Sequence, residues 1–121
     1  MSAEQQALAK RLCAHVEQLA REIGERNVFR PQSLKAAAEY IERQWRQQGY
    51  AVERLGYELS GARCFNLEIT RSGAARNDQI LLIGAHYDTV PGSPGANDNG
   101  SAVAPFVQSF HRLRPRSAWV R

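Results

Sequence analysis

The chain has 121 residues, of which 43% are hydrophobic and 23% charged, and a formal net charge of +4. That composition is ordinary for one soluble globular unit with a single core, but the length is short for a doubly wound enzyme domain. The basic surplus does not describe a nucleic-acid surface. Arg112, Arg114, Arg116 and Arg121 account for all of it, and the other 12 Lys and Arg are matched by 12 Asp and Glu, the last of them Asp98. A phosphate-binding face spreads basic residues among aromatics.

In chain order, Leu8, Leu12, Val16, Leu19 and Ile23 keep the spacing of an amphipathic helix, and Gly24 stands where a C-terminal cap belongs. The opening MSAEQQALAKRLCAHVEQ is charged and lacks an apolar signal-peptide core. No run approaches the roughly 18 apolar residues of a membrane span, so no membrane partner and a cytoplasmic address are expected. Cys13 and Cys64 have neither ligand spacing nor a disulfide framework and read as buried free thiols. His15, on the first helix without a partner at metal spacing, reads as structural.

Pro31 suits the first turn of a second helix, whose buried stripe is Leu34, Ala38, Ile41 and Trp45 and whose end is Gly49. Three strand candidates follow: residues 50–59, interrupted at Gly56; residues 63–71, with Phe65, Leu67 and Ile69 alternating; and residues 79–85. SGAARND, residues 72–78, is a turn. Because residues 80–83 are apolar at every position, that strand should be covered on both faces, as in the middle of an α/β sheet. Residues 101–113 read as a third helix, with Pro105 tolerable only inside its first turn. His111 lies on it as a structural residue, and SAWVR, residues 117–121, opens a further strand. Trp45 and Trp119 are expected in the core or on strands.

The chemistry is concentrated in GAHYDTVPGSPGANDNGSAVA, residues 84–104. It sets His86, Asp88 and Asp98 in one Gly/Pro-rich loop after an apolar run, where an open α/β sheet presents ligands. A neutral imidazole and a carboxylate suit a divalent metal, and a carboxylate with two oxygens can bridge a pair of ions. In an extended His-Tyr-Asp segment residues i and i+2 share a face, so Asp88 can reach the far ring nitrogen of His86 and fix its tautomer. Five glycines and prolines between Pro91 and Gly100 let the backbone return Asp98 to His86. Asn97 and Asn99 read as turn formers.

HYD, an intervening Pro-Gly-Ala, and an acid followed by Asn and Gly-Ser before an apolar helix resemble the M28 family of zinc aminopeptidases and related exopeptidases. The M20-type metallopeptidases and deacylases share GAHYDTVPG, but their next acidic ligand lies much further along, whereas Asp98 follows His86 by only 12 residues. An M20-type fragment is the alternative that this interval disfavours. The M28 resemblance implies that His86 binds one metal, Asp98 bridges two, Asp88 orients His86, the peptide bond from Asp98 to Asn99 is cis, the ions are zinc and the substrate is a peptide cleaved at its N-terminus. Manganese or cobalt would accept the same donors. Ala102 replaces a glycine of the family pattern.

The fold it implies is α/β, a mixed, mostly parallel sheet flanked by helices of the zinc-peptidase or phosphorylase/hydrolase-like type, here truncated. The expected organisation is a single, incomplete domain over residues 1–121, with 1–30 an N-terminal helical segment and 31–121 the start of the α/β core. Family members supply a Glu-Glu pair after the next strand, and then a further Asp and a His. Here Glu68 is the last glutamate and no acid follows Asp98. The expectation is therefore an aminopeptidase-type fragment inactive alone, or a catalytically silent remnant serving as a structural or binding module.

Overall fold

The computed structural model describes residues 1–73 and 78–109. Helix α1, Ala3–Glu17, begins with a reciprocal cap in which the Ser2 hydroxyl accepts from the Gln5 amide and the Gln5 side chain accepts from the Ser2 amide. It passes into a π-helical turn, Gln18–Ile23, that ends where the Gly24 amide donates to the Leu19 carbonyl at 3.0 Å. Gly24 has φ +78°, a conformation that favours glycine, in agreement with its expected capping role. Of the helical stripe only Leu19 is fully buried. Cys13 lies beside that stripe and is exposed, which corrects the expectation of two buried thiols; Cys64 is buried and free.

Helix α2, Pro31–Gln47, carries Pro31 at its first position and buries Leu34, Ala38, Ile41 and Trp45, the stripe read from the sequence. Ala37 and Tyr40 join them. The core gathers Leu19, Ala37, Tyr40, Ile41, Trp45 and Val52 against Val103 and Val107. A smaller cluster joins Leu34 to Ala62 and Cys64. One carboxylate enters this region: Glu42 accepts from Arg46 at 2.9 Å and from Arg54. Burial pushes the Glu42 carboxyl up, but the two arginine hydrogen bonds outweigh it and hold it below its ordinary range.

His15 joins two helices, its Nδ1 lying 2.6 Å from the Tyr40 hydroxyl. Burial pulls its pKa down, opposed by a hydrogen bond with Gln108. A histidine depressed in the folded state takes up its proton more readily when unfolded, so its contribution to stability is full above the unfolded value near 6.5 and falls as pH drops below it. Thermal midpoints should accordingly decline between about pH 6.5 and pH 5. The decline should be shallower in His15→Gln, and an identical slope in the two proteins would refute the assignment.

Strands β1, Glu53–Leu59, and β2, Ala62–Glu68, form an antiparallel hairpin with Gly56 opposite Phe65. Gly56 does not interrupt β1, because the Arg63 guanidinium lies across the space that a side chain would fill, 2.6 Å from where its Cβ would stand. This hairpin is the sheet of the described residues. Residues 79–85, expected as a covered central strand, form none: Ile80, Leu81, Leu82 and Ile83 are 93, 85, 85 and 60% exposed. A strand exists only as a member of a ladder, and no backbone hydrogen bond joins this run to β2. An apolar cleft of about 630 Å³ separates them, lined by Trp45, Leu67, Ile83 and Val103 among others.

Helix α3, Ser101–Ser109, follows a five-residue turn, Ala96–Gly100, in which Asp98 and Asn99 have non-helical dihedrals. Pro105 is the fifth residue of α3, just beyond the first turn to which the sequence confined it. The lost hydrogen bond falls on the Ser101 carbonyl, and both residues are exposed, so water can take the place of the missing amide. The rest of the expected third helix, 110–113, His111, Trp119, the tail arginines and SAWVR lie outside the described residues, as does most of the 72–78 turn.

Candidate active site

The chain reaches the site in an extended segment whose alternation sorts three consecutive side chains. Tyr87 turns inward, packs on both apolar clusters, and donates its hydroxyl to the Phe65 carbonyl at 2.6 Å. Burial raises its pKa to about 12, so it remains a phenol and a donor. Its neighbours His86 and Asp88 therefore face outward together. Asp88 Oδ1 lies 3.0 Å from His86 Nδ1.

The loop then brings Asp98 to the other side of the ring, with Oδ1 3.0 Å from His86 Nε2. The imidazole thus stands between two carboxylates, and all three side chains are more than half exposed. The turn that returns Asp98 needs glycine at 95. Gly95 has φ +64°, is buried, and an added Cβ would stand 2.2 Å from Thr89 Cγ2 and 2.8 Å from the Asp98 carbonyl oxygen. Its own carbonyl accepts from the Gly100 amide at 2.9 Å, closing the turn around Asp98. The peptide bond between Asp98 and Asn99 is cis.

This arrangement has a definite chemical consequence. With the Nδ1 proton directed to Asp88, the Nε2 lone pair faces a carboxylate oxygen at hydrogen-bond distance, and two acceptors so placed need a cation between them. A proton on Nε2 meets that need, and so does a divalent metal. Two donors each about 2 Å from a tetrahedral zinc stand roughly 3.3 Å apart, close to the separation found. The residues therefore fit a metal as two ligands and an orienting carboxylate. A catalytic zinc takes about three protein ligands, and among the described residues no group of three or more His, Cys, Asp and Glu side chains converges as a cage.

Sequence reasoning did not single out Arg26. It is fully buried, donating from its guanidinium to carbonyls on both arms of the loop, while its backbone exchanges hydrogen bonds with Thr89. Arginines that bind main-chain carbonyls leave no partner in the sequence to betray them.

The stretch that carries this geometry is similar to known peptidases. Residues 66–117 match the family model described as Peptidase family M28, so the M28 resemblance is shown for that stretch. A probable lipoprotein aminopeptidase of Mycobacterium tuberculosis, LpqL, is 45% identical over 44 residues, 36% of this chain and 8% of that protein. Aminopeptidase YwaD of Bacillus subtilis is 44% identical over 39 residues, 32% of this chain and 9% of that protein. Leupeptin-inactivating enzyme 1 of Streptomyces exfoliatus is 31% identical over 75 residues, 62% of this chain and 17% of that protein. The aligned stretches thus cover less than a fifth of these curated relatives. No solved structure matches the chain. Among the described residues no helix is long and apolar enough to cross a membrane.

Proposed function

We propose that the chain supplies one half of an M28-type zinc aminopeptidase centre, with His86 and Asp98 as metal ligands, Asp98 bridging toward a second ion, and Asp88 orienting His86. The observation that carries this reading is the imidazole held between two carboxylates at 3.0 Å on each side, inside the stretch that matches the peptidase family. When bound, zinc supplies Lewis acidity toward a scissile carbonyl and toward water. Asp88 keeps the proton on Nδ1 and so leaves Nε2 free to act as a ligand. Asp98, mostly exposed, has a second oxygen available. The substrate in this reading is a peptide with a free N-terminus.

The same reading implies the mixed, mostly parallel sheet of an α/β enzyme, one domain including residues 1–121, in which further strands cover the run 80–83. Residues 99–121 contain no Asp or Glu and so add no carboxylate to this half-site. The second reading is a silent module that retains the half-site.

Titration of the chain with Co²⁺ and Zn²⁺ tests the proposal. Binding is expected, lost in His86→Ala and Asp98→Asn, and weakened about 10- to 100-fold in Asp88→Asn, as for a removed hydrogen-bond partner of a ligand. Hydrolysis of aminoacyl anilides by the chain alone is expected to be negligible. Metal binding indifferent to His86→Ala would overturn the site, and robust hydrolysis abolished by His86→Ala would overturn the half-site.

A further inference from the structure

The loop's two arms approach His86 from opposite directions, and the residue joining them lies beneath the site. Arg26 Nε donates to the Tyr87 carbonyl at 2.5 Å, in the peptide between Tyr87 and Asp88. On the second arm, Nη1 donates to the Pro94 carbonyl at 2.8 Å and Nη2 to the Gly95 carbonyl at 3.1 Å, three residues before Asp98. Nη1 also meets the Leu19 and Gly24 carbonyls, both at 3.0 Å, which fasten the guanidinium to the end of the π-helical turn. The backbone adds a reciprocal pair: the Arg26 amide donates to Thr89 Oγ1 at 3.1 Å and the Thr89 amide to the Arg26 carbonyl at 2.8 Å.

We infer that Arg26 is a positioning residue for the metal half-site, setting the distance between His86 and Asp98 by gripping the backbone on both arms that carry them. The inference rests on the proposed function and extends it to a residue that touches neither ligand. The planar guanidinium has five N–H groups directed around its edge and can address three chain segments at once, whereas a lysine ammonium offers three donors from one point. Its five side-chain acceptors are all main-chain carbonyls, so geometry rather than ion pairing is what this residue fixes. Burial pulls the Arg26 pKa down, and the charge of Asp88 opposes that shift.

The test compares the chain with Arg26→Lys and Arg26→Met by far-UV circular dichroism, thermal unfolding, and titration with Co²⁺ alone, read in the visible d–d bands. Both variants should stay folded. Arg26→Met should bind Co²⁺ about 10- to 100-fold more weakly, with a changed band shape reporting altered coordination, and Arg26→Lys should recover only part of the affinity. Unchanged affinity and spectrum in a folded Arg26→Met would overturn the inference while leaving the half-site standing. Loss of the folded state in both variants would also overturn it, making the residue a global strut.

If the chain itself binds no Co²⁺, the proposed function fails, and the inference is then decided without metal. Nuclear Overhauser contacts between the His86 ring protons and Asp98 Hβ should be present in the chain and absent in Arg26→Met, and their persistence would overturn it.

Discussion

Gly95→Ala is expected to destabilise the chain by about 2–4 kcal/mol, combining the cost of a side chain at positive φ with that of overpacking a filled site. The new Cβ would stand 2.2 Å from Thr89 Cγ2 and 2.8 Å from the Asp98 carbonyl oxygen. Rotating the threonine methyl away would carry off the Oγ1 that accepts from the Arg26 amide, and the second obstacle is main chain and lies in the residue proposed as a ligand. Relief must therefore move Asp98 relative to His86, and the substitution should reduce Co²⁺ binding more than its loss of stability alone accounts for. Chemical denaturation together with metal titration checks both parts. An alanine variant with wild-type stability and affinity would show that the turn tolerates a side chain.

The second large effect is expected at the apolar run 80–83. Ile80, Leu81 and Leu82 are at least 85% exposed, and Leu82 lines the cleft beside β2. Covering a single leucine or isoleucine side chain is worth about 1.5–3 kcal/mol, so three adjacent ones drive association of the purified chain. Among the described residues β2 pairs only with β1, so its other edge adds unpaired backbone groups to the same region. Sedimentation should show concentration-dependent self-association and a hydrophobic dye should brighten, and both signals should fall sharply in Ile80→Lys/Leu82→Lys. A monomeric chain that leaves the dye dark would remove the physical basis of this expectation.

What could be read in the sequence was local. The α2 stripe follows from helical spacing, and the common face of His86 and Asp88 follows from strand-like alternation. The return of Asp98 follows from a loop rich in glycine and proline. The failures share a different cause. Whether residues 80–83 form a strand depends on partners elsewhere in the chain, and apolar composition reports only that they need covering. Gly56 looked like an interruption because its accommodation depends on Arg63 lying across it, a cross-strand fact. The π-helical turn shifts the α1 face by one residue without a compositional mark. Arg26 is the extreme case, since among surface-type residues nothing distinguishes an arginine whose acceptors are all carbonyls.

The grip of Arg26 has a consequence for the order in which the molecule assembles. Its contacts to Tyr87, Thr89, Pro94 and Gly95 close loops of 61, 63, 68 and 69 residues. Closure entropy rises only as about (3/2)RT ln n with loop length, so one such closure lets the others follow at little added entropic cost. Before it, each arm is an open chain. The helices and the hairpin contain mainly local contacts and can form early, whereas the loop can acquire its shape only after the end of the π-helical turn is in place to receive it. The histidine and its two carboxylates are thus expected to come together late, and ordering of the His86 ring should report completed folding of the described residues.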